Sequence, residues 1–556
     1  MAPEANHVWL WLGFAAVGGV IYNEMAYGEE PDLTEESPQV AGIVVYRLFF
    51  HPLAKYPGPF IAKITDGYQL YHAWKGDRHL DFYKLHSQYG AWPTLSPSST
   101  SRSSYCPWSL QQTRTVIVRF GPNSLSFNSS TSLKEIYGFR SNVRKAEFYN
   151  AFVHPAPNTH NARDKDVHAR KRRVLAHGFS DSAMKEMERY IIANVRSFTT
   201  EIGRGAGPET KGWSTPKNMA DWCNYLAMDI LGDLSFGKAF HMLEAPDNRF
   251  ALDLIAAATK RHLLCGTMPI VDKLKLDRLL FPTIAAGRAR YMAYSKAQLT
   301  ERTKLGEDTD RRDFFYYLLK ARDPETGLGF SVPELWGESN LLTSIIAGSD
   351  TTSTAMAATL FYIVRNAAAL EKATAEVRSK FADVEEIRQG ATLNTCTYLR
   401  ACIDEAMRLS PSVGGLLPRE VLAGGMTIDG AHVPAGTIVG TPHYTIHHNE
   451  AYYPSAYAYV PERWIVGARN PTTGRATTEE DTARAQSAFC PFSVGARGCI
   501  GKGLAYAEMS TTLARTLFLY DLRKAVGVVD PAEGRPELEG GGGGRGRCSC
   551  LTLLRA

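Results

Sequence analysis

Little in this sequence points to a scaffold held by disulfides or zinc. Its nine cysteines are odd in number and scattered, without a Cys-x-x-Cys pair. That argues against a disulfide framework and for a reducing compartment. Charge of one sign is scarce as well: the net is only +5 over 556 residues. Nucleic-acid binding calls for a larger basic excess, whereas a local basic face for an acidic protein partner is compatible with it. Long apolar runs are few. The N-terminal one, VWLWLGFAAVGGVIY over residues 8–22, is shorter than the roughly 20 residues that cross a bilayer core. No Lys or Arg precedes it and no clear small-residue cleavage site follows, so a cleaved leader is disfavoured. Arg47, Lys55 and Lys63 come after it and orient a single anchor with the body on the cytosolic side. Alternating strands are rare, and no flavin- or nucleotide-binding segment is present. What remains, 44% apolar and 21% charged, is ordinary globular material.

The most informative stretch is Phe492-Ser-Val-Gly-Ala-Arg-Gly-Cys-Ile-Gly501. Gly495, Gly498 and Gly501 let the backbone take positive φ and come close to a flat, bulky ligand. Amides turned toward Cys499 would hold it as the metal-binding thiolate. Arg497 can grip a carboxylate through two N–H groups, and Phe492 can lie under the same ligand. The bland alternative is a structural cysteine in a glycine-rich turn. A second stretch, Ala347-Gly-Ser-Asp-Thr-Thr352, interrupts an apolar helix expected over 340–365. Gly, Ser, Asp and Thr are poor helix material, and threonine hydroxyls bend a helical ladder. In the helix expected over 398–410, Glu405 and Arg408 are neighbours three apart, and Pro461-Glu-Arg463-Trp464 follows. A basic helix opens at Asp166, with His168 and Arg172 on one face; Lys171 and Arg173 are expected toward solvent or a docking partner. Residues 51–59, HPLAKYPGP, are too proline-rich for helix. Segments 116–120 and 124–127 read as a strand pair, and 222–236 as a helix ending at Gly237.

The pattern Phe-x-x-Gly-x-Arg-x-Cys-x-Gly resembles the haem-ligand signature of the cytochrome P450 monooxygenases. HPLAKYPGP, LLPREVLAGG and AGTIVGTPHY are similar to fungal secondary-metabolism members such as trichothecene, polyketide and benzoate hydroxylases. The resemblance implies a mainly α haem-thiolate fold with a small β-region, preceded by an N-terminal membrane anchor. It makes Cys499 the axial thiolate of haem b, framed by Phe492, Gly495 and Gly501. His168, Arg172, Arg497 and Arg419 would hold the propionates, with His168 standing where relatives more often carry Trp; a surface role for Arg419 is the alternative. Asp350 and Thr351 would relay protons to iron-bound dioxygen, while Glu405, Arg408 and Arg463 would form a buried structural cluster. Residues 240–270 would form the substrate lid, and 342–346 with 413–417 would line the pocket.

The same resemblance implies electrons from NADPH through a separate cytochrome P450 reductase, with cytochrome b5 as a further donor. It also implies a lipophilic polyketide, terpenoid or alkaloid intermediate as substrate, and an endoplasmic-reticulum membrane location with the catalytic body facing the cytosol. The chain divides accordingly into an anchor and linker (1–50), a catalytic domain (51–538) and a glycine-rich tail (539–556). Residues 91–114, rich in Ser, Thr and Pro, are foreign to relatives and read as a retained intron or gene-model error. Nothing in the tail alternates like the β-hairpin expected there, which suggests a frameshift or truncation. Two rival readings are a reductase-independent haem-thiolate isomerase or dehydratase, and a non-catalytic haem binder or defective gene product.

Overall fold

Helical periodicity dominates the chain, and helices form where it does. The computed structural model describes residues 36–90, 117–153, 156–304, 306, 310–343, 348–525 and 550–555. The anchor expected at 8–22, the 91–114 segment and most of the tail after 525 lie outside these residues. No helix among the described residues is long and apolar enough to cross a membrane. By contact, the chain divides into two compact units.

The first unit comprises Met1–Ala146 and Gly415–Ile446 and holds most of the β-structure. Helices α1 (Gly67–Lys75) and α2 (Arg78–Tyr89) precede strands β1 (Ile117–Gly121) and β2 (Ser124–Phe127), followed by β3 (Val143–Lys145). Later in the chain come β4 (Arg419–Val421), β5 (Met426–Ile428), β6 (Ala431–Val433) and β7 (Ile438–Gly440). The five-stranded sheet runs β1-β2-β7-β4-β3. The expected pair β1–β2 is antiparallel, and β2–β7 is parallel. β5 and β6 form a hairpin whose turn uses Asp429 and Gly430, both at positive φ, the Asp-Gly pair that matches strand twist. The proline-rich connector carries no helix over 51–59. Gly58 there is obligatory, because a Cβ would sit 1.9 Å from the Arg119 carbonyl oxygen. Leu416 is buried with Phe82, Leu85, Val118 and Phe120.

The second unit, Glu147–Gly414 with His447–Ala556, is helical. Its principal helices are α3 (Lys165–Ala176), α4 (Asp181–Ile202), α5 (Met219–Phe236), α6 (Phe250–Thr267), α7 (Pro282–Lys304), α8 (Val332–Thr343), α9 (Ser349–Ile363), α10 (Ala367–Lys380), α11 (Thr397–Leu409) and α12 (Lys502–Leu519). α9 packs between α5 and α11, and α12 lies against α10, α4 and α9. A continuous apolar core runs through them, including Met187, Leu226, Met356, Ile403 and Leu513. Helix ends follow local chemistry. The Asp164 side chain caps α3 by accepting from the Asp166 and Val167 amides, and Gly237 closes α5 in the left-handed region. The helix expected over 340–365 is two helices: α8 begins earlier, at Val332, and α9 restarts at Ser349 after Gly348.

One expectation for the tail fails. Cys550–Arg555 forms a strand, β9, antiparallel to β8 (Tyr520–Lys524), with Leu551 opposite Lys524 and Arg555 opposite Tyr520. It also pairs with Lys217–Asn218. Six residues are too few to display a period of two, whereas the open edge of β8 supplies a template for pairing.

Candidate functional site

The Cys499 loop is built by short-range backbone bonds. The Ser493 amide donates to Cys490 O, Gly498 to Gly495 O and Cys499 to Phe492 O, each at 2.9 Å. Of the three glycines, only Gly495 takes positive φ (70°), and Ser493 does so beside it (57°). Gly498 and Gly501 have ordinary φ values of −60° and −83°. Gly498 is favoured for a different reason: a Cβ there would crowd the Gly495 carbonyl oxygen at 3.1 Å. A Cβ on Gly501 would lie 3.9 Å from the Cys499 sulfur, ordinary contact that places this backbone directly beside the thiol.

Of the six cysteines whose surroundings are described, Cys499 alone is exposed; Cys223, Cys265, Cys396, Cys402 and Cys490 are buried. Solvent reaches the residue, yet enough protein surrounds its sulfur for burial to be the largest influence on the thiol. Burial raises its pKa, and the Gly501 amide, Arg172 and Lys502 oppose that without reversing it. The amide aimed at the sulfur is therefore present as expected, but protein groups alone do not make the thiolate. A bound cation would complete the ionisation.

Among the described residues, no group of three or more His, Cys, Asp or Glu side chains is placed to hold a metal ion. A lone thiol with one amide donor cannot hold a bare ion but suits a metal already ringed by a macrocycle, so these residues fit a haem iron.

Two guanidiniums brace the loop. Arg172 Nη1 donates to Gly498 O at 2.7 Å. Arg497 reaches the carbonyls of Ala162 (2.6 Å), Arg163 (3.3 Å) and Asp164 (3.2 Å). Of the two arginines expected to meet carboxylates, Arg172 ties α3 to the loop and Arg497 ties the loop to the segment leading into α3. His168, on the same helix, is buried. Phe492 is half-buried, its ring 5.1 Å from that of Tyr506. Arg419 belongs to the first unit, where it is buried, donates to Leu417 O and Pro418 O, and lies 5.0 Å over the Tyr137 ring. The surface alternative for it is thereby removed.

Lys171 does not face solvent as expected, whereas Arg173 stays partly exposed, its side chain 33% accessible. The Lys171 side chain is 2% exposed, with Nζ 2.9 Å from Glu334 Oε1 and 3.6 Å from Glu338 Oε1. Arg173 is committed to Asp323 and Glu325 at 2.8 Å each. Their partners are remote in sequence, so local composition could not reveal the pairing.

The Ala347–Thr352 stretch falls at a helix start. Residues 344–347 are outside the described set, Gly348 occupies the N-cap, and Asp350 stands in the first turn of α9, where the helix dipole favours an acid. Asp350 is exposed and Thr351 half-buried. Ser412 Oγ donates to Thr351 O at 2.8 Å. Ser353 links α9 to Asn224 of α5 and donates to Asp350 O at 3.1 Å, a brace that no sequence signal marks.

The Glu405 cluster is assembled as its spacing suggests. Arg408 donates Nε to Glu405 Oε2 (2.9 Å) and Nη2 to Oε1 (2.8 Å), and Arg463 Nε donates to Oε1 (3.0 Å). Trp464 Nε1 and the Val460 amide add bonds of 3.0 Å each. Arg408 also holds the carbonyls of His447, Ala456 and Ala458. Burial is the largest influence on Glu405 and pushes its carboxyl up; the two guanidiniums and the amide together outweigh it and hold the pKa at about 2. Trp464 is the member the sequence reading missed. A buried indole N–H needs an acceptor, and its place beside Arg463 was the available signal.

Comparisons with known proteins agree with this arrangement. The sequence profile of the family described as Cytochrome P450 matches residues 118–536. The chain is 37% identical over 506 residues to "Cytochrome P450 monooxygenase AKT7" of Alternaria alternata, spanning 91% of this chain and 89% of that protein. It is 37% identical over 486 residues to "Cytochrome P450 monooxygenase poxM" of Penicillium oxalicum, spanning 87% of each. Among solved structures, the crystal structure of a cytochrome P450 (CYP102L1) superposes with a TM-score of 0.60 at 19% identity, covering 79% of this chain and 91% of that one. At that identity the likeness speaks for the fold alone.

Proposed function

Because the chain belongs to the cytochrome P450 family, whose relatives here are monooxygenases, we propose that it inserts one oxygen atom from dioxygen into a lipophilic secondary-metabolite intermediate. Haem b, when bound, supplies the redox chemistry of oxygen activation. Cys499 is its thiolate ligand, and the single observation that carries this reading is that it alone is exposed among the six described cysteines, with the Gly501 amide beside its sulfur. Phe492, Gly495 and Gly501 shape the loop around that sulfur. Arg172, Arg497, His168 and Arg419 bind the carboxylates of the group; a guanidinium carries five N–H donors in a fork suited to a carboxylate. Asp350, exposed at a helix start, takes protons from solvent, and Thr351 passes them inward. Glu405, Arg408 and Arg463 hold the 447–464 segment in place.

Electrons come from NADPH through a separate reductase, with cytochrome b5 as an auxiliary donor. The catalytic body spans 51–538 behind an anchor and linker at 1–50, facing the cytosol from the endoplasmic-reticulum membrane. Exposed Tyr46, Phe49, Phe50 and Phe60, the last three 64–74% accessible, support a lipid-facing surface beside the anchor. The test is a turnover assay with isotopically labelled dioxygen, reductase and candidate polyketide and terpenoid substrates. One labelled oxygen in the product, dependent on NADPH, is the expected result. Turnover without NADPH or label would favour an isomerase or dehydratase instead.

A further inference from the structure

Glu338 has no place in the haem-binding reading, yet it is one of the most completely buried acids described, at 0% exposure. Both its oxygens accept from the Thr159 amide, at 2.9 and 3.1 Å. Its Oε1 lies 3.6 Å from Lys171 Nζ. One turn earlier on α8, Glu334 takes Lys171 at 2.9 Å, Arg170 and the Ser331 amide. Asn158 Nδ2 donates to Gly337 O at 3.2 Å. One segment, 158–172, is therefore fastened to α8 at both ends. The Cys499 loop holds the same segment from its other attachments: Arg497 grips the carbonyls of 162–164, and Arg172 projects from it to Gly498 O.

We propose that Glu338 is a positioning residue for the cysteine loop, fixing the 158–172 segment from which Arg172 reaches Gly498 and on which Arg497 is anchored. The proposal rests on the reading that Cys499 is the haem ligand. Two arguments favour this role over simple packing. First, Lys171 already has a close carboxylate in Glu334, so a second buried acid is not needed to neutralise it. What the acid adds is an acceptor for the Thr159 amide, which an apolar residue of similar volume would leave buried and unbonded. Second, among the described residues Glu338 joins the start of the segment, through Thr159, to its far end, through Lys171. Burial, the largest influence, pushes the Glu338 carboxyl up to about 7, while the Lys171 ammonium and the Thr159 amide favour the anion. Near neutral pH the carboxyl is thus divided between its charged and neutral forms, the fastening offsetting only part of the desolvation cost.

The experiment compares full-length, haem-loaded wild-type protein with Glu338→Ala, Glu338→Gln and Glu338→Asp by hydrogen–deuterium exchange, and follows transfer of haem to an acceptor apoprotein. In Glu338→Ala, exchange across 158–172 should rise about tenfold or more, as expected for losing hydrogen bonds to a charged group. Haem transfer should quicken by a similar factor, with Glu338→Asp recovering part of both. Unchanged exchange in that segment would overturn the proposal. So would a uniform rise that includes α10 and α12, which would mark a general loss of stability. Should Glu338→Ala not fold, the near-isosteric Glu338→Gln carries the same comparison. If Cys499 were not the ligand, wild-type protein would lack a thiolate-type spectrum while the segment still responded, so the two failures are distinguishable.

Discussion

Two buried acids of the helical unit have opposite fates, and each predicts its own pH dependence. Glu405 is held at about 2, against an ordinary 4.5, by Arg408 and Arg463 in spite of burial. It contributes stability above pH 4.5 that is lost as pH falls through that range toward 2. Glu405→Ala strands two buried guanidiniums and should cost about 3–5 kcal/mol at neutral pH, read by urea denaturation; the deficit against wild type should shrink below pH 4.5. Glu508 on α12 is the reverse case. It has no hydrogen-bonding or ionic partner among the described residues, and burial alone lifts its carboxyl from 4.5 to about 8. Its neutral form is the folded form, so its contribution is complete below pH 4.5 and disappears as pH rises through 8. Glu508→Gln should remove this loss and be more stable than wild type above pH 8, by on the order of a few kcal/mol. Equal unfolding midpoints for the two proteins at pH 9 would contradict it. Single residues were legible from the sequence where a partner lies a few positions away, as for Glu405 and Arg408. They were illegible where the partner is distant, as for Lys171 with Glu334 and Glu338.

At the scale of elements, helices with strong local signals stand where expected. α5 ends at Gly237 because a left-handed C-cap is a local property of one glycine. α11 buries Leu399, Cys402, Ile403 and Ala406, the i, i+3, i+4, i+7 face visible in the sequence. β9 was not visible, because its order comes from the edge of β8 rather than from its own six residues. Deleting 550–555 should therefore expose that edge and raise amide exchange in Tyr520–Lys524 by about tenfold, with little change in α11. Unaltered protection of those five residues in the truncated protein would show that the pairing contributes nothing in solution. The division of the expected 340–365 helix belongs to this scale too. Gly348 and the polar residues after it were readable as a weak point, but the earlier start of α8 at Val332 was not, since Pro333 in its first turn reads equally well as a breaker or as an N-terminal residue.

For the whole molecule, the order of motifs along the chain carried the fold: a helix interrupted by Gly-Ser-Asp-Thr-Thr, then Glu-x-x-Arg, then Pro-Glu-Arg-Trp, then the cysteine loop. Each is weak alone. Together they locate a thiol, two bracing arginines and a buried ionic cluster in one helical unit, and the family profile over 118–536 agrees. The central claim is that the Cys499 sulfur is the anionic ligand of a haem iron. The most direct test is the ferrous–carbon monoxide spectrum of haem-loaded wild-type protein beside that of Cys499→Ser. The wild type should give a thiolate-type Soret band and the variant should lose it. An unchanged band in Cys499→Ser, or a histidine-type band in both proteins, would contradict the account.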